Sequence, residues 1–388
     1  MRPAEGRGRV GGPFSAGRST RLPPDSMSES STPLTIRGLT ARAVAAPLAR
    51  PLRTASGTIP ESPLLLLDVE SEEGPAGRAY IFGYTTLSLR ALNAFVGDLA
   101  DVITGRPAHP ATLYDDLVGR FRLMGRQGLV GMALSGLDMA LWDMQGQAVG
   151  KPVVELLGGQ AIPVPAYDSF GVVDPVEDRA ALEASINAGF RAIKIKIGVG
   201  DLGWDLANVA GVREVIGPST RLMVDYNQSL TAPEALRRIT ALSRFDLTWV
   251  EEPVPAEDLA GHARIREASP IPIQTGENWW FGHDMAHAIA AGACDACMPD
   301  LMKIGGVTGW LRAMGQAEAA ALPVSSHLFI EASAHVLPVT PLAHYLEYLD
   351  LAGAVLAEPP MFADGQVTAR GPGLGLTWDE AAVKRYLF

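Results

Sequence analysis

The sequence predicts an α/β chain, an eight-stranded barrel of alternating strands and helices preceded by a smaller α+β domain. Three observations carry this reading. The first is a set of apolar runs that each stop at a carboxylate. Asp225 closes Arg221–Val224, Glu251 closes Leu247–Val250 and Glu277 follows Ile271–Thr275, at a constant interval of 26 residues. That interval suits one strand, one helix and two short connections, so three consecutive βα units would deliver three acids to one rim. The second is the hydrophobic pattern from Val164 onward, which switches repeatedly between strand and helix periodicity. The third is the stretch before it, which reads as a strand meander followed by helices.

Bulk properties narrow the function. At 388 residues the chain can bury a large core and fill one large domain plus a smaller one. A net charge of −11 argues against nucleic acid as a partner. No apolar run approaches the roughly 20 residues needed to span a bilayer, so no membrane partner is expected. Cys294 and Cys297 are the only cysteines. They fit a reducing, cytoplasmic setting without a disulfide framework. Their C-x-x-C spacing lies inside a strand-like run, and no second pair exists to complete a metal site.

In chain order, residues 1–26 carry five arginines against two acids and show no periodicity. They read as a disordered leader, with Met27 as the native start. Residues 34–160 read as the α+β domain. Leu34–Arg37 and Ala41–Val44 alternate like a half-buried strand, Arg50–Pro60 reads as a loop, and Leu64–Val69 and Arg78–Phe82 are further strands. Helices follow over 87–157, where Leu134, Leu137, Asp138, Leu141 and Trp142 share one face as packing residues. Gly158 and Gly159 end that block. Residues 163–350 read as the barrel, with strand-like runs at Val164–Tyr167, Ala192–Ile197, Leu222–Asp225, Leu247–Glu251, Ile271–Thr275, Ala296–Pro299, Pro323–Ser326 and His344–Leu349. Residues 351–388 read as a segment returning to the first domain.

The barrel strands end in reactive groups. Lys194 and Lys196 alternate onto the same, interior face. Lysine is rarely buried without a task, and two ammonium groups near a cation depress each other's pKa, leaving one able to act as a base. A salt-bridging role toward the rim acids is the alternative. Asp300 and His327 stand 27 residues apart, again one βα unit. Asp300 can therefore accept a hydrogen bond from His327, fixing its tautomer and raising its basicity. Going round eight strands, the lysines and His327 flank the acids, one base for each face of a bound carbon. Glu347 closes the eighth strand, where a protonated carboxyl group could donate to a developing oxyanion.

With these residues in place, the chain from Leu34 to Phe388 resembles the enolase superfamily, and within it the mandelate racemase-like branch. The stretches Val224–Leu230, Gly276–Trp279, Met298–Trp310, Ser325–Phe329 and Leu346–Glu347 carry the resemblance. It implies a capping α+β domain over a modified (β/α)7β TIM-type barrel, with Mg2+ (or Mn2+) on Asp225, Glu251 and Glu277. Lys196 and His327 would be the two bases, Lys194 would contact the substrate carboxylate and Glu347 would stabilise an enediolate. Ser169 and Asn227 would meet the substrate's polar groups. Leu52, Ile59, Tyr84, Leu328 and Leu349, with Phe82, would form an apolar pocket. The implied activity is racemisation of mandelate or a close 2-hydroxy acid, with acid-sugar dehydration on the same scaffold as the alternative. The resemblance also implies a homo-oligomer. Ser56, Arg53, Phe170 and Ile330 depart from the branch's pattern and leave the substrate open.

Overall fold

The computed structural model describes residues 34–54 and 57–388. The expected leader, Met27 and Ser56 lie outside the described residues. The chain runs β1 (Ile36–Thr54), β2 (Gly57–Ser71), β3 (Ala76–Phe82), α1 (Thr86–Ile103), α2 (Pro110–Arg120), α3 (Leu129–Val149) and α4 (Val153–Leu156). These form an antiparallel sheet in the order β1-β2-β3 with helices packed on it. Gly136 in α3 faces Ile81 and Leu67, where an added Cβ would sit 2.6 Å from Ile81 Cγ1, so glycine lets helix and sheet meet closely. The Arg50–Pro60 loop expectation is corrected: Leu52 pairs with Ile59 and Arg53 with Thr58, so the β1–β2 hairpin stays a ladder nearly to its tip. A register shift between Pro47 and Leu52 marks where proline interrupts the pairing.

The second part alternates strand and helix as far as β9, after which three helices precede the last strand: β4 (Val164–Val172), α5 (Arg179–Asn187), β5 (Ala192–Lys196), α6 (Leu202–Ile216), β6 (Arg221–Asp225), α7 (Ala232–Leu242), β7 (Leu247–Glu251), α8 (Leu259–Ala268), β8 (Ile273–Thr275), α9 (Phe281–Ala291), β9 (Ala296–Cys297), α10 (Leu301–Ile304), α11 (Gly306–Ala319), α12 (Ile330–Val336) and β10 (Leu346–Tyr348). β4 through β9 pair in parallel, in order. The expected seventh strand, 323–326, is reduced to single parallel bridges, Val324 to Cys297 on one side and to Ala343 on the other. Parallel pairing of β10 with β4 then closes the ring. This is a (β/α)7β barrel beneath a capping domain.

Strand alternation sorts the barrel residues. Ile193, Ile195, Leu222, Val224, Val250 and Ile273 join the cluster formed with the helices. On the opposite face Tyr167, Ala192, Met223 and Trp249 form an apolar layer inside the ring. Two residues further along the same strands come Ser169, Lys194, Asp225 and Glu251, a polar layer above an apolar floor. Beyond the barrel, β11 (Met361–Ala363) and β12 (Gln366–Thr368) form a hairpin on β4, and α13 (Glu380–Arg385) ends the chain. Phe388 N–H donates to Ala43 O at 2.9 Å, and Arg42 pairs with Glu380, tying this segment to β1.

Candidate active site

At the C-terminal rim of the barrel, Asp225, Glu251 and Glu277 each present a carboxylate oxygen within 4.8 Å of the others, and all three are buried. β6 and β7 end on the first two, and register pairs Asp225 with Glu251. The donor set is three hard anionic oxygens, the chemistry of a divalent-cation site. Glu277 Oε2 has no hydrogen-bond partner, although His327 Nε2 stands 3.3 Å from it. Burial pushes Glu251 up to about 7, against the pull of Lys194. A cluster this crowded, with an unpartnered oxygen, fits a cation that would relieve its repulsion.

The two lysines are anchored to these acids. Lys194 Nζ lies 2.5 Å from Glu251 Oε1 and 2.8 Å from Glu347 Oε1, and Lys196 Nζ lies 2.6 Å from Asp225 Oδ2. Lys194 does depress Lys196 as expected, but that repulsion does not set the net direction. Burial does act to lower both, and Lys194 to lower Lys196, but the carboxylates outweigh these effects and raise both ammonium groups.

His327 Nδ1 lies 2.6 Å from Asp300 Oδ2. Burial works against the imidazolium, but Glu277, Glu347 and Asp300 lift its pKa to about 9. Asp300 is itself fixed by N–H groups of Met302 and Lys303 at 2.7 and 3.1 Å. Glu347 is corrected from a protonated donor to an acceptor. It receives Ser169 Oγ at 2.7 Å and Leu328 N at 3.0 Å as well as Lys194. Burial would raise it, but Lys194 and His327 hold it well below the usual carboxylate range.

Asn227 gives its N–H and its side-chain amide to Asp225, at 2.7 and 2.9 Å. Leu52 and Leu328 are buried, whereas Ile59 and Leu349 are half-buried. Tyr84 is partly exposed and tilts against Phe82, their ring centroids 4.7 Å apart. Of the departing residues, Phe170 and Ile330 are buried. Buried groups that sequence reasoning did not assign surround the acids. Glu252 accepts from Gln228 and Asn278, each at 2.8 Å, and Lys303 donates to Asn278 at 2.6 Å. A second acid directly after Glu251 was the available signal. Asn227, Gln228 and Glu252 hold φ of 43°, 65° and 34°, so non-glycine residues in the left-handed region cluster where these strands end.

Comparison with known proteins places this chain in a family. The mandelate racemase / muconate lactonizing enzyme N-terminal domain family matches residues 36–158, and the enolase C-terminal domain-like family matches residues 177–382. The chain belongs to the enolase superfamily. Among superfamily relatives, it is 33% identical to a 3,6-anhydro-alpha-L-galactonate cycloisomerase of Streptomyces coelicolor, over 83% of this chain and 91% of that protein. A solved enolase from Bradyrhizobium, complexed with magnesium and mandelic acid, is 57% identical with a TM-score of 0.90, covering 92% of this chain and 99% of that one. An L-talarate dehydratase from Polaromonas sp. JS666, complexed with magnesium and L-glucarate, is 28% identical with a TM-score of 0.82, covering 92% and 98%. No helix among the described residues is long and apolar enough to cross a membrane.

Proposed function

We propose that this enolase-superfamily enzyme is a Mg2+-dependent racemase of mandelate or a close 2-hydroxy acid. The observation that carries the reading is that the acid cluster has a base candidate bound to each flank. Lys196 sits on Asp225 at one side and His327, backed by Asp300, sits beside Glu277 at the other. The Bradyrhizobium relative with mandelic acid supports the substrate class.

Asp225, Glu251 and Glu277 would hold the magnesium. Bound there, the ion would supply Lewis-acid stabilisation of the charge that develops as the α-proton leaves. Asp225 would be shared between the ion and Lys196, so with magnesium held there its grip on the Lys196 ammonium would weaken and that group could serve as a base. Lys196 then takes the α-proton from one face and His327 returns one to the other, or the reverse. Asp300 fixes the imidazole with Nδ1–H toward itself, leaving Nε2 for the proton transfer. Lys194 supplies fixed positive charge beside the substrate carboxylate. Glu347, locked by Ser169, Lys194 and Leu328 N–H, holds that lysine in place. Each base contributes about 10²- to 10⁴-fold.

The superfamily's sugar-acid enzymes supply the second reading, dehydration of an acid sugar, in which His327 would protonate a departing β-hydroxyl. Polarimetry on each mandelate enantiomer, with α-proton exchange followed in D2O, separates the two. We expect racemisation, with Lys196→Arg stopping exchange from one enantiomer and His327→Asn from the other. Keto-acid formation from a sugar acid without mandelate racemisation would overturn the racemase reading.

A further inference from the structure

Lys303, on α10, is buried beside the acid cluster, yet its partner is not an acid. Lys194 and Lys196 each grip a carboxylate, whereas Lys303 forms no ion pair among the described residues. Its Nζ lies 2.6 Å from Asn278 Oδ1 and 4.8 Å from the centre of the Tyr84 ring. Burying an ammonium costs free energy that one neutral amide offsets poorly, so packing alone does not account for this lysine.

Asn278 turns the other end of its amide to two acids. Nδ2 donates to Glu252 Oε2 at 2.8 Å and to Glu277 Oε1 at 3.2 Å. An ammonium is a donor only, so Lys303 holds Oδ1 toward itself and Nδ2 toward the carboxylates. A flipped amide would point N–H at the ammonium and Oδ1 at two anions. With Oε1 of Glu277 taken by Asn278, Oε2 is left without a hydrogen-bond partner, 3.3 Å from His327 Nε2. The backbone of Lys303 supports the neighbouring base as well. Its N–H donates to Asp300 Oδ1 at 3.1 Å, while Asp300 Oδ2 meets His327 Nδ1 at 2.6 Å. One residue thus touches the supports of both Glu277 and His327.

We propose that Lys303, acting through Asn278, is the positioning residue that holds Glu277 in the orientation leaving Oε2 free for the metal. The inference rests on the reading of Asp225, Glu251 and Glu277 as magnesium ligands, and on no particular substrate. It commits to a sign. A positive charge beside the acids repels a cation, so a lysine acting by charge alone weakens Mg2+ binding and its removal tightens it. A lysine acting by position does the reverse. Losing the support of a metal ligand lowers affinity about 10- to 100-fold.

Calorimetric titration of Mg2+ into the full-length, chelator-stripped protein decides between the two. The parent should bind Mg2+, and Glu277→Gln should weaken that binding. Lys303→Met should weaken it about 10- to 100-fold while the Tm of the metal-free protein changes little. Asn278→Leu leaves the charge in place and should weaken binding by a similar factor; it reads the same link if Lys303→Met does not fold. The double variant should bind no more weakly than the weaker single one, because both substitutions cut one chain of contacts. Unchanged or tighter binding in either single variant, or factors that multiply in the double variant, would overturn the proposal and leave the metal site standing. A parent that binds no Mg2+, or a Glu277→Gln variant that binds it as the parent does, would instead remove the ligand assignment and the proposal with it.

Discussion

Two groups of buried acids show what burial alone does not decide. Asp143, in α3 of the capping domain, and Glu251, at the barrel mouth, are both buried, and burial pushes each up to about 7. Asp143 receives backbone N–H groups from Arg78 at 2.7 Å and Leu374 at 2.6 Å. It joins β3, α3 and the C-terminal segment, and it has no ion-pair partner among the described residues. Glu251 receives Lys194 and the Trp249 indole N–H, and it shares its space with Asp225 and Glu277. Asp143, whose close donors are backbone amides of two other segments, is a part of the fold. Acids held by amines, with a neighbouring carboxylate oxygen unpartnered, are arranged for a further ligand.

The largest expected effect breaks the barrel-mouth side of that comparison. Glu251→Gln removes one anionic ligand and several kcal/mol of charge stabilisation, so turnover should fall about a thousandfold. The rise in Tm on adding Mg2+ should shrink or vanish, while the Tm of the metal-free protein changes little. Turnover assays on whichever substrate proves active, and calorimetry with and without Mg2+, check both. Asp143→Ala should do the opposite. It strands two buried N–H donors, each costing about 1–3 kcal/mol, so Tm should fall by several degrees. Turnover measured well below the lowered Tm should persist. If Asp143→Ala abolishes turnover there, or Glu251→Gln destabilises the metal-free protein more than Asp143→Ala does, the division between the two kinds of acid is wrong.

How far these two regions could be read from the sequence follows from the range of the contacts involved. Asp225, Glu251, Asp300 and His327 lie at strand ends, and the length of a βα unit sets their spacing. A repeat of 26 or 27 residues therefore gave their neighbourhood. The ionisation of Glu347 was misread because its partners come from elsewhere in the chain. Ser169 is 178 residues away and Lys194 lies on another strand. The net direction of the lysine shifts was illegible for the same reason, since facing strands supply the acids that outweigh lysine–lysine repulsion. The Arg50–Pro60 hairpin was misread because Pro51, Gly57 and Pro60 are loop residues by local chemistry. Its pairing is imposed by the neighbouring strand and by its seat against Gly171.

The finest test of the comparison is the pH dependence carried by Asp143. Its folded pKa of about 7 stands above the ordinary value of 3.8. Between those values the unfolded chain has released this proton and the folded chain still holds it. The unfolded state then binds fewer protons, so this group's contribution to stability falls as pH rises from about 4 to 7. Asp143→Asn removes the titration but keeps an oxygen to accept an N–H. The variant should therefore be less stable than the parent near pH 4.5, and the gap should narrow toward pH 7.5. Denaturant unfolding of both proteins at matched pH values, without metal, measures that gap. A gap that widens with pH would mean that Asp143 is ionised in the folded chain across this range. Backbone donors would then outweigh burial at this position, and Asp143 would be a charged strut between three segments.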